Sequence, residues 1–204
     1  MSEVDRERVM RAVSELIEAI GEDPARPGLL DTPRRVAEAY SEYFSGLGVD
    51  ARTLLADTVP LDSSADVTGE SGPGEIVLLR DIEFRSMCEH HLLPFLGVAH
   101  VAYLPGTRVV GLGALPRVVD TIASRPQLQE RLTDEIADTL SSGLDARGVL
   151  VVLDAQHGCV SARGSRQSGS STVTMASRGE LSDPLRRAEV FALIGGLGGP
   201  SGDR

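Results

Sequence analysis

The apolar residues of this chain run first at helical spacing and, beyond a polar connection, in alternating short and helical patterns, which restricts it to a helical portion followed by a mixed layer of strands and helices. Val9, Val13, Leu16, Ile17 and Ile20 recur at helical spacing and stop at Gly21, a residue suited to ending a helix. A second helix is predicted from Asp31-Thr32-Pro33, where Thr32 can cap and Pro33 suits the first helical position. Its stripe of Val36, Tyr40, Tyr43 and Phe44 ends at Gly46. Residues 58–74 are rich in Ser, Asp, Gly and Pro, have no periodic apolar face, and read as an exposed connection.

Beyond that connection the pattern shortens. Residues 76–84 and 98–103 are β-prone and partly alternating, and read as neighbouring antiparallel strands around a loop from Met87 to Pro94. Residues 112–122, despite Pro116, and the series Leu128, Leu132, Ile136, Leu140 predict two helices. Residues 149–153 and 170–175 predict two more strands, and Asp183-Pro184 the start of a last helix running to about Ile194. The order predicts an α+β fold with an N-terminal helical portion over 1–57, a connection over 58–74 and one further unit over 75–204. In that unit antiparallel strands carry both helices on one face, and oligomerisation is the expected cover for the other.

Composition excludes several functions. No apolar run approaches the ~20 residues that cross a bilayer, and the N-terminus lacks the layout of a signal peptide, so a cytoplasmic location is expected. A net charge of −10 argues against nucleic-acid and anionic-membrane partners, which are held by basic patches. All 20 basic side chains are arginine, which excludes a lysine-dependent phosphate loop.

Both cysteines and three of the four histidines fall in two short stretches, Cys88-Glu89-His90-His91 and His157-Gly158-Cys159. In a reducing compartment such clusters favour metal binding or catalysis over a disulfide. Two thiolates and one imidazole hold zinc tetrahedrally and leave a fourth position for water, whose ionisation then falls near neutral pH. Cys88 and His91, three apart in a tight turn, can face one ion, with Cys159 as third ligand and His90 and His157 left for proton transfer. Spacing alone leaves this open, because buried cysteines and a satisfied histidine would read the same way. His100, alone in the strand Val98-Ala99-His100-Val101, is assigned no role.

The likeness to a known family is carried by Gly21-Glu22-Asp23-Pro24, by Gly28-Leu29-Leu30-Asp31-Thr32-Pro33-Arg34-Arg35-Val36-Ala37, by Ser86-Met87-Cys88-Glu89-His90-His91 and by Arg125-Pro126-Gln127-Leu128-Gln129-Glu130-Arg131-Leu132-Thr133. These stretches resemble GTP cyclohydrolase I over most of the chain. The resemblance implies a tunnelling fold whose sheets close into a barrel across subunits, usually a decamer of two stacked rings with active sites between copies. It implies Cys88, His91 and Cys159 as zinc ligands, His90 and His157 as proton-transfer groups, and Glu130 as acceptor from the guanine ring nitrogen and amino group. It further implies Gln129 as a guanine-side contact, and Arg117 and Arg163 as triphosphate contacts. The reaction implied is attack by zinc-bound water at C8 of GTP, loss of formate and rearrangement to 7,8-dihydroneopterin triphosphate, with no redox cofactor. That product serves folate synthesis or a specialised 7-deazapurine pathway.

The family pattern breaks at one end of the site. Gly111-Leu112-Gly113-Ala114 stands where the family usually reads Gly-Leu-Ser-Lys, and Gln167 stands where relatives often carry lysine. Charge is removed here and not exchanged for arginine. This leaves room for a diverged paralogue that opens the imidazole ring of GTP, or of a less phosphorylated purine nucleotide, and stops earlier. A reading from another class is a catalytically silent, purine-binding ring protein.

Overall fold

In a computed structural model that describes residues 4–61 and 76–196, the two N-terminal stripes form paired helices, α1 (Arg6–Ala19) and α2 (Thr32–Tyr43). Asp5 caps α1 by accepting from the Arg8 amide at 2.9 Å. Asp31, not Thr32, holds the cap position of α2, and Pro33 lies in its first turn. The Asp31 carboxylate faces Arg34 and Arg35 instead of the helix amides. No described helix is long and apolar enough to cross a membrane.

Residues 58–60, read as part of the connection, form a short strand, β1 (Thr58–Pro60), which pairs antiparallel with β4 (Arg108–Val110). Residues 62–74 of that connection lie outside the described residues.

Five strands make the main sheet, in the order β5 (Pro126–Gln127), β2 (Val77–Cys88), β3 (Pro94–Leu104), β6 (Gly148–His157) and β7 (Thr172–Gly179). All neighbours are antiparallel except β2 and β5. Helices α3 (Ala114–Ala123) and α4 (Gln129–Leu144) lie on one face, as expected from the order of elements. Leu115, Val118, Ile122, Leu132, Ile136 and Leu140 from the helices pack on Phe95, Val101, Tyr103, Val151 and Leu153 from the strands, all at 1% exposure or less. Alternation along β3 and β6 turns Ala102, Leu104, Leu150 and Val152 to the opposite face.

That opposite face is not wholly left to an oligomer. Val190 of α6 (Pro184–Gly196) joins the second cluster, and Arg80 donates to the carbonyls of Leu193 and Ile194. Away from α6 the face is bare, with Leu96, Val173 and Met175 exposed. A bulge between Leu79 and Ile82 sets Asp81 at a φ of 56°, and the Asp81 amide donates to Nδ1 of His100. His100 therefore has a structural role at the bulge.

Gly97 of β3 pairs with Ala155 of β6, and a Cβ there would lie 2.1 Å from the Asp154 carbonyl oxygen. Gly97→Ala is expected to cost about 1–3 kcal/mol by overpacking, lowering the melting temperature by roughly 3–10 °C. Gly169→Ala, with nothing within 4 Å of the new carbon, is expected to leave it essentially unchanged. Thermal denaturation followed by circular dichroism checks both.

Candidate metal centre and active site

Three neighbouring strand ends build the site. Strand β2 finishes at Cys88, and the chain turns back into β3 through a loop closed by Cys88 N–H to Leu93 O (2.9 Å) and Leu92 N–H to Cys88 O (2.8 Å). On the other side of β3, Phe95 pairs with His157 at the end of β6. The next turn, α5 (Gly158–Ser161), carries Cys159. A Cβ on Gly158 would lie 2.8 Å from the Pro94 carbonyl oxygen, so glycine lets the Cys159 turn settle against the start of β3.

This brings together the residues read as ligands. The donor atoms of Cys88, His91 and Cys159 all lie within 4.8 Å of one another, and Cys88 Sγ is 3.6 Å from His91 Nδ1. That spacing suits two ligands of a tetrahedral ion with bonds of ~2.0–2.3 Å. Cys88 is buried, Cys159 half-buried and His91 exposed, so the cluster opens to one side. Both cysteines are free thiols. Burial first, and then the neighbouring Cys88 sulfur, push the Cys159 thiol upward. Two thiolates this close repel, and a cation between them removes the penalty.

His157 lies beside the cluster, half-buried and stacked on Phe95 with ring centroids 4.6 Å apart and planes at 6°. Burial lowers its pKa, opposed by the charge of Glu130, and so works toward the neutral ring. His90 is exposed, next to His91. Glu130 is exposed in the first turn of α4. Gln129, implied as a guanine-side contact, is only 2% exposed and its Oε1 is 2.6 Å from His157 Nε2.

Arg163 is exposed just beyond α5 and its charge reaches Cys159. Arg117 is elsewhere, bordering a pocket of about 150 Å³ with Asp57, Gly111, Gly113 and Ala114. None of the ligand or histidine positions lines that pocket.

Sequence reasoning passed over the support of the cysteine loop. Glu89 pairs with Arg131, whose Nε donates to Gln127 Oε1 at 2.9 Å, and Glu89 N–H donates to the Gln127 carbonyl at 3.1 Å. The hydrogen bond from Arg131 holds the Glu89 carboxyl below its ordinary range. Glu89 lies inside the cysteine–histidine motif, which was the available signal, but an exposed arginine on a helix gives none. Arg131→Gln is expected to lower metal affinity roughly ten- to a hundredfold, as loss of outer support does, with the circular dichroism spectrum unchanged. Competition against a chromophoric chelator measures it.

The chain is similar to known proteins over nearly its whole length. The family model described as GTP cyclohydrolase I matches residues 9–195. The chain is 60% identical to a GTP cyclohydrolase 1 of Leifsonia xyli subsp. xyli, over 96% of this chain and 98% of that one. It is 51% identical to a GTP cyclohydrolase 1 of Caldanaerobacter subterraneus subsp. tengcongensis, over 94% of this chain and 97% of that one. A solved structure of the archaeosine synthase QueF-Like in the apo form overlaps 51% of this chain and 93% of its own, at 18% identity and a TM-score of 0.43.

Proposed function

The chain belongs to the GTP cyclohydrolase I family, and from that premise we propose how its residues divide the work of a hydrolase acting on GTP. It is an enzyme of this type, converting GTP to 7,8-dihydroneopterin triphosphate with release of formate. The observation that carries the assignment of roles is the convergence of Cys88, His91 and Cys159 within 4.8 Å.

Cys88, His91 and Cys159 hold a zinc ion, for which two sulfurs and an imidazole nitrogen are a fitting donor set. When bound, the ion supplies Lewis acidity and lowers the pKa of water. His157, whose pKa burial lowers, moves protons as the C8–N9 bond of the purine opens and formate departs, and the exposed His90 assists. Glu130 accepts from the guanine ring N–H and the amino group, a two-donor edge that a carboxylate fits bidentately. Arg117 and Arg163 present guanidinium forks to the triphosphate oxygens. The released amine and the rearranged ribose then close the pterin ring, with no redox cofactor.

The pocket at Arg117 shares no lining residue with the cysteine cluster. This supports a site completed between copies, in a homodecamer of two stacked rings whose sheets close a barrel. The exposed Leu96, Val173 and Met175 on the bare sheet face are compatible with that assembly. The protein works in the cytoplasm, feeding folate synthesis or a 7-deazapurine pathway.

Gly113, Ala114 and Asp57 border the same pocket as Arg117 and add no positive charge to it; the second reading to be tested against is an enzyme that stops at a ring-opened nucleotide. Incubation of zinc-loaded protein with GTP, followed by mass spectrometry and formate assay with Cys159→Ala as the blank, separates the two. Formate with 7,8-dihydroneopterin triphosphate is the expected result. A ring-opened product without pterin establishes the second reading, and unchanged GTP leaves a silent purine-binding ring protein. Glu130→Gln is expected to raise KM for GTP about tenfold or more, since it weakens a charge-assisted pair, and steady-state kinetics measure it.

A further inference from the structure

The side-chain amide of Gln129 has one orientation that its surroundings permit. Its Nε2 lies 2.8 Å from the Thr172 carbonyl oxygen, 3.3 Å from that of Leu153 and 3.1 Å from Thr174 Oγ1. Carbonyl oxygens only accept, so the NH2 group must face them; a flipped amide would set oxygen against two carbonyls. The threonine is constrained too. Thr133 Oγ1 donates its proton to the Gln129 backbone carbonyl at 2.7 Å. In the 2.6 Å contact between Thr133 and Thr174 it is therefore Thr174 that donates, which keeps its lone pairs for the Gln129 amide.

With NH2 fixed on that side, Oε1 is the atom 2.6 Å from His157 Nε2. An amide oxygen only accepts, so Nε2 carries a hydrogen. Phe95, stacked on the ring, fixes its plane. At 2% exposure, Gln129 meets little competition from solvent.

We infer that Gln129 is a positioning residue that locks His157 in the Nε2–H tautomer and leaves Nδ1 as the only ring nitrogen with a free lone pair to offer the site. This gives the side-chain amide of Gln129 a task toward the histidine. The tautomer is a property of the chain itself, whereas the kinetic consequence rests on the proposed function.

The test is a long-range 1H–15N correlation spectrum of zinc-loaded protein labelled with 15N-histidine, His157 being assigned by its loss in His157→Asn. A protonated Nε2 and an unprotonated Nδ1 are expected in the unmodified protein. The reverse pattern, or an equal mixture, overturns the inference without recourse to a variant. Gln129→Met, similar in size and without the acceptor, is expected to shift His157 toward a tautomer mixture. It is also expected to lower kcat roughly ten- to a hundredfold, as misplaced catalytic groups do, with KM for GTP within about twofold. A raised KM with kcat preserved would instead make Gln129 a guanine contact. If the unmodified protein turns over no GTP, the proposed function fails while the spectrum still decides the tautomer.

Discussion

Everything in the site depends on the register of β3. Met87 of β2 pairs with Pro94 at one edge of that strand, and His157 of β6 pairs with Phe95 at the other. Two clusters far apart in sequence are thereby held one strand apart. A one-residue slip of β3 would turn Phe95 out of the core and take it off its partner His157, because side chains alternate along a strand. The register is defended where it matters: Phe95 is fully buried, Gly97 admits no side chain, and Ser86, also fully buried, donates to the Ala123 carbonyl at 2.7 Å. Core packing and ligand geometry are thus one constraint.

The charges follow from that placement. Two sulfurs converge where burial, and then the neighbouring Cys88 sulfur, work against ionisation of Cys159. Such a pair is costly as free thiolates and comfortable as ligands, so the geometry prepares a cation site. Beside it, burial lowers the pKa of His157, and Glu130 partly offsets that effect. The cysteine loop is meanwhile braced from outside by Arg131, whose guanidinium meets Glu89, Gln127 and the Pro126 carbonyl. The brace on the cysteine loop and the hydrogen bond to His157 are separate contacts, and α4 supplies both, through Arg131 and Gln129.

Much of this was legible in the sequence. The long periodic stripes gave α1, α2 and α4, and the Cys/His clustering pointed to Cys88, His91 and Cys159, which the fold brings together. The shortfalls share a physical cause. Strands β1, β4 and β5, of two or three residues, exist only through their partners, and no local pattern marks them. The cover provided by α6 depends on where the chain returns after β7, which periodicity does not encode. Gln129 is marked in the sequence by the resemblance, as a guanine-side contact; that its amide also meets the Leu153 and Thr172 carbonyls follows only from the packing of α4 against β6 and β7. A resemblance carries residue identity forward, but hydrogen-bond saturation belongs to the folded neighbourhood.

The start of α3 shows the same distinction with the opposite result. Ala114 is 4% exposed and belongs to the hydrophobic core, so its methyl group packs inward where the family usually carries a lysine. A lysine there would have to run its stem along apolar neighbours to bring its charge out. The alanine exchanges that long-range cation for close packing. Arg117, one turn further along, is tied back to this helix end by Nε–H to the Gly113 carbonyl at 3.2 Å. Its charge therefore stands near the positive end of the helix, where an anion is doubly favoured, while Asp57 in the same pocket opposes it. In a chain of net charge −10, binding a polyanion rests on local arrangements of this kind. On the proposed reading, the phosphate end of the substrate is held by geometry at α3 more than by the number of cations around it.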